Sequence, residues 1–454
     1  MSGIKVRRVF VISDLHLGGQ PPTMMSTPDR LAAFIESLPS RLQSDEQLEL
    51  VINGDFVDFL AIEPCEAWTS TPVSAREKLL KTVRASTFTP VFTALASLVA
   101  GGHRLTLLLG NHDLELAIPA VRDALLDAIG ATPHQVHCVF DGSAYRIGGA
   151  LIEHGNRYDT ANENDWDRLR TIASALSRGE SPPVALRVSA GSFLVEKVVA
   201  GLKPRYPFIE LLHPQGELLA LLLAAFEPAL IFDLPKVGRV FRANRLQNSN
   251  AQGTQPGHTY AVAATVTEPP VDEEVRLAFG TAYDGLMMAS EQVSVSDVLL
   301  AAWNARDDSL SEILKRGEDI PRNRIEQIRV AMRRMLLDDT SDRIDGDTQQ
   351  YGLAARRIIE SSEGAIEVVL MGHTHLPRQV GPPGRPTYIN TGSWTDVIRV
   401  PQAVLEPGRH VELQRFLAHL HGGGLRTAMA TYADLRIDRD GRVSSAALVE
   451  LKPS

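Results

Sequence analysis

Hydrophobic positions along this chain follow two periods. Short apolar, β-branched runs at residues 9–12, 48–52, 105–109 and 150–152 read as strands. Between the first two, Thr27-Pro28-Asp29-Arg30 carries the marks of a helix start, after which Leu31, Phe34, Ile35 and Leu38 share one helical face. A second helical stretch runs from near Ser74 to Ala100, stops at Gly101-Gly102 and holds Pro90 as a break or kink. Strands alternating with helices predict mainly parallel pairing. Asp141-Gly142, between Val139-Phe140 and Tyr145-Arg146-Ile147, predicts a hairpin, so the sheets should be mixed.

The character changes over residues 162–364, where the spacing is mostly helical and strand signals are weak. The expected organisation is a core in two parts, 1–161 and 366–454, interrupted by a mainly helical insertion at 162–365. Within it, residues 247–270 are rich in Asn, Gln, Thr, Gly and Pro and read as a mobile loop. Residues 218–232 are the most apolar stretch, too short for a membrane span and interrupted by Glu227 and Pro228. A buried helix is the plain reading; a lid over an apolar substrate or a peripheral membrane contact is the alternative. Strand patterns return at 367–371 and 387–390, and Asp438-Arg439-Asp440-Gly441 predicts a hairpin between 428–437 and 443–451.

At 454 residues with 44% apolar, the chain has material for two domains or for one with a large insertion. Its net charge of −9 argues against a general attraction for nucleic acid or anionic membrane. That acidity still permits a phosphorylated substrate, because bound cations would invert the local field. Cys65 and Cys138 lie far apart in no cysteine-rich pattern, which fits reduced thiols and a cytoplasmic location. The basic start before the first apolar run is interrupted by Asp14 and His16 too early for a signal sequence, so that run reads as the first core strand.

Each strand-like run leads into a short polar motif: Asp14-Leu15-His16, Gly54-Asp55-Phe56-Val57-Asp58, Gly110-Asn111-His112-Asp113, His154-Gly155 and Gly372-His373-Thr374-His375. Loops at the carboxyl ends of strands gather on one edge of an open α/β sheet, where such folds build their sites. Carboxylates, an amide and imidazoles in that position suit two divalent ions about 3.5–4 Å apart, which clamp a phosphate and activate water. Asp14 and His16 would share one side of an extended chain, as would His373 and His375. Asp55 after Gly54 suits a bridging carboxylate, and Asn111 offers a neutral oxygen. Any one motif alone would usually be an accident or a turn; five in this order and context point to a metallohydrolase.

The set resembles the calcineurin-like metallophosphoesterase superfamily over roughly residues 6–160 and 366–452. That resemblance implies an α/β fold, a four-layer sandwich of two mixed β-sheets flanked by helices, here with a large mainly helical insertion. It implies that Asp14, His16, Asp55 and His375 hold one ion while Asp55, Asn111, His154 and His373 hold the other. It makes His112 the residue that contacts the phosphate and protonates the leaving oxygen as a metal-bridging hydroxide attacks phosphorus. Manganese is the ion the resemblance favours, although this donor set also accepts iron or zinc. Asp58 and Asp113 read as carboxylates that orient His ligands or His112. Arg157 is a candidate grip on a phosphate oxygen, with a surface ion pair as its plain alternative. The stretch 390–394 should pack beside the site without a chemical step. His419 and His421, before Gly422-Gly423-Gly424, read as a flexible connection rather than a further metal site.

The expected activity is hydrolysis of a phosphomonoester, phosphodiester or pyrophosphate bond in a phosphorylated small molecule or lipid-like substrate. The motifs also resemble the bacterial hydrolases that cleave the pyrophosphate of UDP-2,3-diacylglucosamine. This chain departs from them in carrying His112 where they have an arginine, and in its longer insertion. A nuclease is the other enzymatic reading; it would want a basic channel, and Arg239, Arg242 and Arg245 are a small candidate for one. The non-catalytic reading is an interaction scaffold on the same fold, which ought to have lost ligands.

Overall fold

The structure, a computed structural model, describes residues 6–159, 162–203, 205–206, 208–213, 222, 226, 309–338, 350–382 and 384–452. In chain order its strands are β1 (Val6–Ile12), β2 (Glu46–Asn53), β3 (Arg104–Leu108), β4 (Val136–Val139), β5 (Tyr145–Ile147), β6 (Ala150–Ile152) and β7 (Leu212–His213). They continue with β8 (Val368–Met371), β9 (Pro377–Val380), β10 (Tyr388–Thr391), β11 (Asp396–Arg399), β12 (Thr427–Ala428), β13 (Thr431–Ile437) and β14 (Val443–Glu450). One sheet has the order β14-β13-β1-β2-β3-β4 and a second has the order β5-β6-β8-β10-β9. Both are mixed. β1 to β4 run parallel and the terminal hairpin β13–β14 joins antiparallel; β6, β8 and β10 run parallel between antiparallel edges.

The period of two in these strands explains the layers. Phe10, Ile12, Leu48, Leu50 and Ile52 face outward to helices, meeting Leu31, Phe34 and Ile35 of helix Pro28–Ser37 and Val91, Leu95 and Leu98 of helix Thr89–Ala100. Their alternates Val9, Val11 and Val51 face the other sheet, packing with Ile147, Ile152, Val368, Leu370 and Ile389. Beyond the second sheet, Val369, Met371 and Tyr388 pack on Ala355 of helix Gln350–Ser361. Helices, sheet, sheet and helix make the four layers.

One local expectation is corrected. Asp141-Gly142 closes no hairpin, because β4 belongs to the first sheet and β5 to the second. The Asp141 carboxylate accepts the Ser143 N–H at 2.9 Å, so an Asx turn carries the chain from one sheet to the other. The hairpin comes one turn later, between β5 and β6. The break expected at Pro90 is present: the stretch divides into helices Pro72–Arg84 and Thr89–Ala100 at 93° to each other, and Pro90 stands in the first turn of the second, where its missing N–H costs nothing.

The chain divides into two compact units, Met1–Gly201 with Ser341–Val397 and Arg426–Ser454, and Leu202–Thr340 with Ile398–Leu425. In the second, Tyr206 and Phe226 pack against His421 and Phe208 packs against both of them; His421 Nε2 lies 3.0 Å from Ser311 Oγ. His419 and His421 end helix His410–His421, and Gly422 and Gly424 donate back to Ala418 and His419, so this stretch is a helix cap rather than a loose connection. The stretch 247–270, most of 218–232, and Arg239, Arg242 and Arg245 lie outside the described residues. Among the described residues no single helix is long and apolar enough to cross a membrane.

Glu115, in the turn Leu114–Ala117 that follows the third motif, is buried and accepts the Thr69 N–H at 2.8 Å. Burial pushes its carboxyl up to about 7 from an ordinary 4.5, against the pull of that N–H and of Lys78. The folded value exceeds the unfolded one, so the folded state holds the extra proton and stability falls as pH rises from 4.5 to 7. Glu115→Gln should therefore match the parent near pH 4.5 and exceed it above pH 7, by on the order of 3 kcal/mol. Urea unfolding of both proteins in chelator across that range checks this, and parallel curves would refute it.

Candidate metal centre

The motif-bearing strands are neighbours in register, so their carboxyl ends reach the same level. Ile12 pairs with Ile52, Asn53 with Leu108, and Ile152 with Leu370. The loops that follow are then hooked together. Asp14 N–H donates to Gly54 O, and the N–H groups of Leu15 and His16 both donate to Asp55 O. His112 N–H donates to Asp55 Oδ1 at 2.8 Å, Gly372 N–H donates to His154 O, and His373 N–H reaches the Asp14 carboxylate at 3.0 Å.

The backbone in these loops is not extended. Asp14, His16, Asp55, His373 and His375 all have φ between 45° and 69°, and the only other non-glycine residues with positive φ among those described are Glu363 and Leu425. The expected pleat therefore does not align Asp14 with His16 or His373 with His375; left-handed turns do. Such conformations cost of order 1–3 kcal/mol each and persist where the surroundings enforce them. Two glycines permit the crowding. A Cβ on Gly110 would stand 2.0 Å from Asp55 Oδ1, and one on Gly54 would stand 2.5 Å from His154 Nδ1.

The side chains converge as three overlapping groups that share Asp14, His16 and Asp55. His16 Nε2 lies 3.1 Å from His375 Nε2, and His375 Nε2 lies 3.3 Å from Asp14 Oδ1. Asp55 Oδ2 lies 3.5 Å from His16 Nε2 and 3.3 Å from His154 Nε2. A single carboxylate oxygen thus stands between imidazoles of the two expected ligand sets. Asp14-His16-His375, His16-Asp55-His112 and Asp14-Asp55-His154 each bring ligand atoms within 4.8 Å of one another.

The donor set fits hard divalent cations. Asn111 Oδ1 and His154 Nε2 are buried with no hydrogen-bond partner, which is costly unless something else satisfies them. His154 Nδ1 faces the Asn53 carbonyl at 2.8 Å and donates to it, so Nε2 is the nitrogen that would bind a cation on losing its proton. Carboxylate, amide and imidazole donors together suit manganese, iron or zinc. Burial would raise the Asp14 and Asp55 carboxyls, but the surrounding histidines outweigh it, His375 chiefly for Asp14 and His154 for Asp55, and both are lowered. Burial opposes charge on His154, yet Asp55 and Asp14 push it up to about 9. Charges of both signs are thus drawn into one buried cluster.

Around this centre, Asp58 Oδ1 lies 3.0 Å from His112 Nδ1 and Asp58 Oδ2 lies 3.4 Å from His16 Nδ1. Burial opposes its charge, and the two histidines, His112 first, hold its carboxyl far below the usual range. The His112 ring stands edge-on to His16 with centroids 4.7 Å apart and remains partly open to solvent. Asp113 has a different task from the one expected. Its oxygens accept the N–H groups of Gly110 at 2.7 Å and Phe56 at 2.8 Å, tying the third loop to the second. Burial and the neighbouring Asp55 push it up to about 8 against those N–H groups. Arg157 is turned to other work: its Nε pairs with Glu153 at 3.0 Å and its guanidinium donates to Gly142 O at 2.6 Å.

The 390–394 turn forms the floor. Asn390 Nδ2 donates to Gly372 O, Ser393 Oγ to Asp14 O, and Trp394 is wholly buried in the main core. Thr395 Oγ1 stands 3.4 Å from His375 Nδ1. Sequence reasoning missed the loop after His154. There Asp159 Oδ2 lies 3.0 Å from His373 Nε2, and buried Asn164 donates to Gly110 O at 3.2 Å. A run of Asn and Asp directly after a candidate ligand was the available signal.

The model of the family described as calcineurin-like phosphoesterase matches residues 7–226. No curated protein matches the chain.

Two substitutions test the geometry. Gly110→Ala should expel Asp55 from its place and abolish divalent-metal retention, which elemental analysis after gel filtration reads; metal content equal to the parent's would contradict it. Asp113→Ala leaves two buried N–H groups bare, roughly 1–3 kcal/mol each, and should lower the urea midpoint of the metal-free protein.

Proposed function

The chain belongs to the calcineurin-like phosphoesterase superfamily, and from that premise we propose that it hydrolyses a phosphoester or pyrophosphate bond at a dinuclear metal centre. The observation that carries this reading is Asp55 Oδ2, which faces His16 on one side and His154 on the other within 3.5 Å. Asp14, His16, Asp55 and His375 would hold one ion, and Asp55, Asn111, His154 and His373 the other. When bound, the two ions would supply charge neutralisation for the phosphoryl group and acidify water to a pKa of roughly 7.

The protein's own residues do the rest. His112 is partly open to solvent and is fixed through Nδ1 by Asp58. A protonated His112 can then donate to the departing oxygen, and Asp58 favours that protonated ring electrostatically. Asp113 and Asn164 hold the Gly110 loop so that Asn111 and His112 keep their aim. Arg157 is left out of the chemistry because Glu153 and Gly142 occupy it.

A proton donor at position 112 serves monoesters, diesters and pyrophosphates alike. A lipid-linked pyrophosphate remains a candidate through the resemblance to the UDP-2,3-diacylglucosamine hydrolases. The net charge of −9 favours a small or lipid-like phosphorylated substrate over a nucleic acid, and manganese is the ion proposed for assay.

The test is hydrolysis of p-nitrophenyl phosphate and bis-p-nitrophenyl phosphate by chelator-stripped protein resupplied with manganese. Turnover should require metal, vanish in Asp55→Ala, and fall by roughly 10²–10⁴-fold in kcat in His112→Ala. Turnover in chelator, or activity indifferent to both substitutions, would sink the proposal.

A further inference from the structure

Of the four candidate histidine ligands, three turn Nε2 towards the cluster: His16 and His375 face each other through it, and His154 aims it at Asp55. His373 differs. Its Nε2 lies 3.0 Å from Asp159 Oδ2. We infer that Asp159 is a positioning residue that commits His373 to metal binding through Nδ1, an inference that rests on the two-ion reading above. A carboxylate only accepts, so Nε2 must carry the hydrogen, and a neutral imidazole then has its lone pair on Nδ1.

The carboxylate is itself held. Asp159 Oδ2 also accepts from Asn162 Nδ2 at 2.8 Å, and the Asn162 carbonyl accepts from buried Asn156 Nδ2 at 2.9 Å. Asp159 N–H donates to Asn156 O, closing the turn on itself. The His373 ring is confined by neighbours on two sides, with the His154 centroid at 5.4 Å and the Tyr351 centroid at 6.3 Å. Its backbone N–H is fixed on Asp14. The loop that begins at one ligand of the second ion, His154, thus reaches across to set the tautomer of another, His373. Carboxylates placed on the outer nitrogen of a ligating imidazole fix its orientation and raise its basicity.

The consequence is selective. Removing Asp159 frees the His373 ring to exchange tautomers, which weakens the ion held with Asn111 and His154 and spares the ion held with Asp14, His16 and His375.

The experiment is manganese titration of full-length parent, Asp159→Ala and Asp159→Asn, with chelator competition for each affinity and electron paramagnetic resonance to separate coupled pairs from single ions. The parent should bind two ions with a coupled spectrum. Asp159→Ala should keep one affinity and lose the other by roughly 10–100-fold, giving a single-ion spectrum at low manganese. The metal-free melting temperature should be unchanged. Asp159→Asn keeps the size and an acceptor oxygen and should lose less. Two unchanged affinities in Asp159→Ala overturn the inference while leaving the two-ion reading intact. Loss of both ions in both variants, with a lowered metal-free melting temperature, also overturns it, because Asp159 would then serve the fold. A parent that binds fewer than two ions removes the two-ion reading and the inference together.

Discussion

The Asp55 carboxylate is the constraint on which the rest of the site depends. It is buried, it sits between imidazoles from opposite sides, and it accepts the backbone N–H of His112 through its other oxygen. An ionised carboxylate in such a place is expensive unless charge and hydrogen bonds compensate it. His154, His112 and His16 supply part of that compensation. Asn111 Oδ1 and His154 Nε2, buried there without a hydrogen-bond partner, fit a cluster that can take up a cation.

The fold can be understood as the means of holding five loops against that carboxylate. Parallel strands in register deliver Asp14, Asp55 and Asn111 from one sheet, and His154 and His373 from the other. Left-handed backbone turns then swing these side chains inward, where an extended chain would carry them past. Glycines 54 and 110 leave room, and Asp113 anchors the crowded loops to each other. Strain of this kind is stable only because the apolar layers behind it, and the buried 390–394 turn beneath it, allow the loops nowhere else to go.

Much of this was legible in the sequence, for a physical reason. Buried strands must be apolar runs, and the polar residues that interrupt them at their ends are then conspicuous, which is why Asp14, Asp55, Asn111, His154 and the His373–His375 pair stood out. The mixed sheets and the β13–β14 hairpin followed from the same alternation. What failed was anything decided by tertiary partners. Asp141-Gly142 has hairpin chemistry, but nothing in those residues says that the next strand belongs to another sheet. Asp113 and Asp58 look equivalent in sequence, yet one faces backbone N–H groups and the other faces imidazoles. Arg157 is chemically suited to phosphate and is drawn away by Glu153, four residues earlier. Asp159 offered only the run of Asn and Asp after His154 as a signal, because its partner lies more than two hundred positions away along the chain.

The most direct measurement is anomalous X-ray diffraction from crystals of the protein loaded with manganese. Two anomalous peaks, about 3.5–4 Å apart and bridged by the Asp55 carboxylate, are the predicted result. A single peak, or ions bound away from Asp55, would contradict the claim that this carboxylate organises a dinuclear centre.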